Sequence, residues 1–326
     1  MNPTAPLKLS AWLLVRRARR RRQHGRYDRH TLRLFHRAAG SGSAAALLEY
    51  VLFRRDLGYP MHPRFIEPLL ERRAELPPRK RWLAAALLTE LGAEPGMAWD
   101  DVEPGCGLTS AARNQHNWRD GFKLALEAAE RGICVVGNSA HLAGRALGER
   151  IDAASLVVRF NDFPCGEIYV PDVGHRTSVW VTSPGYEGPP FLDADWVVVT
   201  GPDMCFRLRH WGALSERLRR ARPVLSVPLP IWRELVRTLH APPSAGVLML
   251  AWLHSLLGSW NTVTAVGIGT GNSGRYRIQV YGRRSSRHDW RAEAALVRDW
   301  AREGLQTLPA PTGGSAPHNH LVGSLS

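Results

Sequence analysis

Ile133-Cys134-Val135-Val136-Gly137-Asn138-Ser139 is a short apolar run that stops at a glycine. Such a run, bounded by a turn signal, reads as a fully buried strand. The same pattern recurs downstream at Leu156–Phe160, Ser178–Val181, Trp196–Thr200, Val224–Val227, Val263–Val266 and Ile278–Tyr281. Helical stretches separate several of these runs, among them Gly121–Arg131, Leu214–Arg220 and Gly246–Leu257. Strands alternating with helices point to an α/β fold built on a mostly parallel sheet with flanking helices.

Upstream the pattern differs. Ala44–Arg54 and Lys80–Leu91 have apolar residues spaced by three and four, so residues 38–115 read as a helical N-terminal region. Pro95, Gly96, Pro104, Gly105 and Gly107 in Gly92–Thr109 mark a boundary. Residues 116–308 form the α/β domain, and the Gly-, Pro-, Ser-rich 309–326 reads as a disordered tail.

The 326-residue chain has a net charge of +14. Residues 1–37 hold Lys8 and ten arginines against Asp28 alone, so +10 of that charge sits in a basic arm. The arm reads as a solvated tail, a docking segment for an anionic membrane surface, or a nucleic-acid contact. No run approaches the roughly 18 apolar residues of a membrane span, and no secretory signal is visible. The scattered Cys106, Cys134, Cys165 and Cys205 form no C-x-x-C pair. A disulfide scaffold and a zinc ribbon are not expected, and the chain is read as cytoplasmic.

Four segments carry chemistry. Gly137-Asn138-Ser139 follows the first strand, where such sheets cradle phosphates. Gly137 allows close backbone approach, and Asn138 and Ser139 offer side-chain donors. There is no G-x-G-x-x-G, and Arg159 and Asn161 stand where a ribose-binding acid would be, which counts against a dinucleotide enzyme. Asn161 lies just beyond a strand end. Asp172 and Arg176 are spaced to pair and brace a turn. Ser244 is suited to cap the apolar helix that begins near Gly246. Val263–Val266 runs into Gly267-Ile268-Gly269. Finally, Asp289 can cap a helix, which sets His288 at its positive end, where neutral imidazole is favoured. His288 and Glu293 do not make a zinc motif.

In order, these segments resemble the sialyltransferases of glycosyltransferase family 29. Cys134-Val-Val-Gly-Asn-Ser139, Gly148-Glu-Arg-Ile-Asp152, Arg159-Phe-Asn161 and Asp172-Val-Gly-His-Arg-Thr177 are similar to the family's long motif. Pro243-Ser-Ala-Gly-Val-Leu-Met-Leu250 is similar to its short motif, with Val266-Gly-Ile-Gly269 beyond it, and His288 with Glu293 to its very short motif. The resemblance spans about 134–304. It implies a Rossmann-like, metal-independent, inverting glycosyltransferase that moves a sialic acid or related keto-sugar acid from a CMP-sugar donor to a glycan or glycolipid hydroxyl. By the same resemblance, Asn138, Ser139 and Asn161 contact the CMP moiety and Ser244 and Gly246 hold the ribose. Gly269 lines the pocket, His288 is the general base, and Glu293, Asp172 and Arg176 support the site. No cofactor and no nucleic acid are expected. A glycolipid acceptor at the inner face of a membrane would give the basic arm a docking role.

Three departures stand out. The animal long-to-short-motif disulfide has a counterpart only at Cys134. His141 stands where Asn is frequent. The third-motif histidine, which helps stabilise the leaving phosphate, is not visible in Tyr276–Arg287, leaving Tyr276, Tyr281, Arg283 or Arg284 as substitutes. The competing readings are another nucleotide enzyme, such as a dehydrogenase, and a non-catalytic nucleotide- or lipid-binding protein on the same fold.

Overall fold

The structure is a computed structural model. It describes residues 9–92, 103–164, 166–184, 186–201, 211–220, 222–269, 285 and 287–308. The expected strand Ile278–Tyr281 and the tail 309–326 lie outside the described residues, as do Tyr276, Tyr281, Arg283 and Arg284.

Six helices come first: α1 (Leu9–Gln23), α2 (Arg29–Ala39), α3 (Ala44–Asp56), α4 (Pro63–Glu71), α5 (Pro78–Glu90) and α6 (Glu103–Glu127). Then follow β1 (Ile133–Val136), α7 (Gly148–Asp152), β2 (Leu156–Phe160), α8 (Val170–Val173), β3 (Val179–Thr182) and β4 (Trp196–Val199). The chain continues through α9 (Trp211–Arg219), β5 (Val224–Ser226), α10 (Leu229–Leu239) and α11 (Ala245–Leu257). It ends with β6 (Val263–Val266), α12 (Trp290–Arg302) and β7 (Gln306–Thr307).

Among the described residues seven strands form one sheet in the order β5-β4-β3-β2-β1-β6-β7, and each of these pairings is parallel. The chain steps outward from β1 to β5 on one side, then returns to add β6 and β7 on the other. The reversal falls between β1 and β6, which is where open α/β sheets bind ligands. All four residues of β1 are buried, as expected of a strand covered on both faces.

Alternation along the strands separates two cores. Ile133 and Val135 face a layer made by Phe122 and Leu126 of α6, Trp232 and Leu235 of α10, α11, and Val297 of α12. Cys134 and Val136 face Ile151 of α7 and Val173 of α8. Further along the same face, Trp180, Val197 and Val224 pack on Leu214 of α9. The result is the helix–sheet–helix sandwich of a Rossmann-like domain. Full burial of each such aliphatic side chain contributes about 1.5–3 kcal/mol. The free edge at β5 is covered by α6: Gln115 accepts from the Ser226 N–H at 2.8 Å and donates to the Val224 carbonyl at 2.9 Å.

Residues 9–37 of the N-terminal basic segment are folded, mostly into α1 and α2. Ala11, Val15 and Ala18 of α1 are buried, and Asp28 caps α2 by accepting from the Thr31 N–H at 2.7 Å. Arg22 pairs with Glu49 at 3.3 Å and Arg21 with Asp28 at 2.7 Å, and Arg19 also pairs with Glu49. A solvated tail does not describe residues 9–37, because small apolar residues recur at helical spacing and Arg19, Arg21 and Arg22 find internal carboxylates. Arg16, Arg17 and Arg20 remain on the outer face beside Trp12 and Leu13, which are 43% and 51% exposed. Among the described residues, no helix is long and apolar enough to cross a membrane.

Helix α6 begins at Glu103 and runs unbroken through residues 115 and 116, where the sequence pattern changes. The helical region is bound directly to the sheet domain. The Arg233 Nε of α10 donates to the Asp56 carbonyl at 3.1 Å, and Tyr27 packs against the cores of both regions.

Candidate functional site

A cavity of about 580 Å³ opens at the carboxyl ends of the strands. Its walls come from the loops after β1 (Gly137–Ser139), β2 (Phe160–Asp162), β3 (Ser183, Tyr186) and β6 (Gly267–Gly269). The start of α11 and the residues leading into α12 close it. Of the residues expected from the sequence, Asn138, Ser139, Asn161, Ser244, Gly246, Gly269, His288 and Glu293 all line it. They come from segments as far apart as 138 and 293, and the switch between β1 and β6 brings them together.

The first loop differs from expectation in one respect. Both amide hydrogens of Asn138 are used inside the protein: Nδ2 donates to the Phe160 carbonyl at 2.9 Å and to the Asp162 carbonyl at 3.0 Å. Asn138 is therefore not a side-chain donor toward a ligand. Among the described residues its buried Oδ1 has no hydrogen-bond partner, which leaves an unsatisfied acceptor beside the cavity. Ser139 is buried, and its Oγ accepts from the His141 N–H at 3.3 Å.

Asn161 has a left-handed backbone, with φ +48. Asparagine tolerates that region better than most residues. Its Oδ1 accepts from the Ser183 N–H at 2.9 Å and from the Ser183 hydroxyl at 3.2 Å. These bonds tie the loops after β2 and β3 together, and among the described residues Asn161 Nδ2 has no hydrogen-bond partner.

Ser244 caps α11, its Oγ accepting from the Val247 N–H at 3.4 Å. Its own two donors go to Glu293. The Ser244 N–H meets Oε1 at 2.6 Å and the hydroxyl meets Oε2 at 2.6 Å. Glu293 is only 2% exposed. It lies in the first turn of α12 and clamps the start of α11 beside it. The next helical N–H groups, of Ala245 and Gly246, are the unsatisfied donors that every helix start presents, and both residues line the cavity.

Gly269 is glycine for two reasons. Its φ is +71, and an added Cβ would stand 2.9 Å from Val297 Cβ.

His288 precedes the Asp289 cap of α12, and Asp289 accepts from the Ala292 N–H at 3.0 Å. The imidazole Nδ1 lies 2.8 Å from the Pro242 carbonyl oxygen. A carbonyl can only accept, so Nδ1 carries the proton and Nε2 of the neutral ring is left as the acceptor. Burial pushes the His288 pKa below its usual value; the Pro242 bond opposes this and the charge of Arg287 adds to it. The ring is therefore a neutral base at pH 7.

Two expected residues lie outside the cavity. Asp172 and Arg176 do not pair with each other. Asp172 accepts from the Gly144 and Ala146 N–H groups at 2.6 and 2.9 Å. Arg176 donates to the Asp152 carbonyl at 2.6 Å and the Ser155 carbonyl at 3.0 Å. Asp172 thus braces the turn at 144–146 and Arg176 the turn at 152–155. Cys134 is a free, buried thiol on β1, and burial pushes its pKa up to about 12.

The sequence reading missed Trp232, Tyr186 and Arg287, which also line the cavity. Trp232 belongs to α10, and its helical spacing was the one available signal. Among the described residues, no group of three His, Cys, Asp or Glu side chains is placed to hold a metal ion.

The family model "Glycosyltransferase family 29 (sialyltransferase)" matches residues 124–188. That segment runs from the end of α6 to the loop after β3 and includes Asn138, Ser139 and Asn161. A crystal structure of a mammalian sialyltransferase is 17% identical, covering 60% of this chain and 79% of its own, with a TM-score of 0.41. A mammalian sialyltransferase in complex with Gal-beta-1-3GalNAc-ortho-nitrophenol is 15% identical, covering 78% of this chain and 88% of its own, with a TM-score of 0.45. A comparison with curated proteins finds no match.

Proposed function

We propose, from the match of residues 124–188 to the glycosyltransferase family 29 (sialyltransferase) model, that this chain transfers a sialic acid or related keto-sugar acid from a CMP-sugar with inversion. The observation that carries this reading is the meeting of His288 with Asn138, Asn161 and the start of α11 in one cavity. Its volume suits a nucleotide-sized ligand.

The roles follow from the free valences. Asn138 Oδ1, buried and without a partner among the described residues, suits a donor such as the cytosine amino group or a ribose hydroxyl. Asn161 Nδ2 supplies a hydrogen bond toward the phosphate. The Gly246 N–H holds the ribose at the positive end of α11, and Ser244, whose two donors go to Glu293, fixes that helix start instead of donating to the ligand. Gly269 shapes the wall. His288 Nε2 removes the proton from the acceptor hydroxyl as its oxygen attacks the anomeric carbon. The bond from that carbon to the phosphate oxygen breaks, and CMP leaves with the electron pair. The proton stays on His288, steadied by the Pro242 carbonyl, until solvent takes it. A single leaving phosphate can be stabilised by fixed hydrogen-bond donors, so no metal is required in this scheme.

The acceptor is proposed to be a glycan or glycolipid at a membrane surface. Trp12 and Leu13 beside Arg16, Arg17 and Arg20 form an outer face of α1 suited to anionic head groups.

The test is thermal stabilisation by CMP, CDP, UDP, GDP and NAD in the presence of EDTA. A ligand at about 100 times its Kd stabilises by roughly 2.7 kcal/mol. A shift with CMP above the others is expected. A larger shift with UDP or NAD would reject the donor and revive the dehydrogenase or binding-protein readings.

A further inference from the structure

The donor reading leaves one chemical need unmet. A CMP-sugar acid carries a phosphate and a carboxylate, and the cavity walls include Asp162, Glu187 and Glu293. Among the described residues lining the cavity, Arg287 is the one permanent cation.

Its side chain is held in place by the N-terminal region. Arg287 Nη2 donates to the Tyr27 hydroxyl at 2.6 Å, and the guanidinium lies 5.7 Å from the centre of the Tyr27 ring. Arg287 Nε is buried without a hydrogen-bond partner among the described residues. One donor is thus spent on positioning while the rest of the fork is left over. Tyr27 is itself held, stacked on Phe53 at 5.6 Å and edge-on to Trp232 at 4.8 Å. The turn before it is pressed against the same place. A Cβ on Gly25, whose φ is +77, would stand 2.8 Å from the Arg287 carbonyl oxygen and 3.1 Å from Pro242 Cδ. Pro242 is the residue whose carbonyl orients His288. The N-terminal turn between α1 and α2 therefore supports the cation and the base together.

We propose that Arg287 contacts the anionic group of the donor and that Tyr27 is its positioning residue. This rests on the CMP-sugar reading above and deepens it. It assigns a described residue to a role for which the sequence suggested only Tyr276, Tyr281, Arg283 or Arg284. It also makes residues 25–27, in the segment first read as a basic arm, part of the site.

Isothermal titration of a ligand ladder tests the proposal. Cytidine, CMP and a CMP-sugar acid are titrated into the full-length wild type and into Arg287→Gln, Arg287→Lys and Tyr27→Phe. Charge-assisted bonds to phosphate are strong and geometry-dependent. Arg287→Gln is expected to weaken CMP about tenfold or more while cytidine stays within about twofold. Arg287→Lys should recover part of the loss. Tyr27→Phe, which keeps the ring, should weaken CMP about threefold and leave cytidine unchanged. If CMP is unaffected and only the CMP-sugar acid weakens tenfold, the contact is to the carboxylate, and the proposal stands with that source. Equal losses for cytidine and CMP would make Arg287 a structural brace and overturn it. Unchanged binding of all three ligands would overturn it too. Failure of the wild type to bind any of the three would overturn the donor reading itself, and this proposal with it.

Discussion

Replacing Ser244 and Glu293 by alanine, singly and together, tests the clamp between α11 and α12. The Glu293 carboxylate is 2% exposed and receives two short hydrogen bonds, each 2.6 Å, from the Ser244 N–H and hydroxyl. Hydrogen bonds to a charged group contribute about 1.5–3 kcal/mol each. Ser244→Ala removes the hydroxyl bond and a helix cap of about 0.5–1 kcal/mol, the Val247 contact being long at 3.4 Å. A loss of about 2–3 kcal/mol is expected. Glu293→Ala removes both bonds and strands the Ser244 N–H, for about 3–5 kcal/mol after relief of carboxylate burial. The double variant should lose less than the sum of the two, because the hydroxyl–carboxylate bond is counted in both. The coupling should be about 1.5–2.5 kcal/mol, read from urea unfolding midpoints at constant slope. A coupling below about 0.3 kcal/mol would show that the two side chains do not act together and would refute the clamp.

Three further outcomes follow from the geometry. With His288 as the proposed base, the rate of sugar transfer at low substrate should rise with pH through a midpoint below the usual histidine value, because burial depresses its pKa. The same depression means that the unfolded chain binds a proton that the folded chain does not, so stability should fall as pH drops below about 6.5; a rate that declined with rising pH between 5 and 7 would contradict the assignment. Gly269→Ala should cost about 2–4 kcal/mol, from the left-handed backbone and the 2.9 Å approach to Val297, and a melting temperature within a degree of wild type would refute that reading. Reversing the charge of Arg16, Arg17 and Arg20 together should reduce sedimentation with anionic vesicles at least fivefold without changing the melting temperature, since all three are exposed; unaltered sedimentation would end the docking role of α1.

The strands were legible because parallel strands buried on both faces leave continuous apolar runs, and six of them fall within about one residue of their reading. The seventh was not: Gln306–Thr307 is two exposed polar residues, ordered only by pairing beside β6. Helix α6 was read as starting at Gly121 because Pro104, Gly105 and Gly107 near its start look like a boundary. The site was legible to the extent that its motifs are local. Spacing alone could not say that Asn138 spends its amide hydrogens on two carbonyls of the next loop. Nor could it show that Asp172 and Arg176 serve different loops. Arg287 was least visible of all, since the residue that orients it lies 260 positions away in sequence.

The most direct test is release of CMP from a CMP-sugar acid in EDTA, by wild type and by His288→Ala, with CMP affinity measured on both. The expected result is metal-independent, acceptor-stimulated release by wild type, a fall of about 10²–10⁴ in rate for His288→Ala, and CMP binding within about threefold of wild type. Equal turnover by the two proteins would contradict His288 as the base, and no acceptor-stimulated release by a wild type that binds CMP would mean that the cavity holds the nucleotide without performing the transfer.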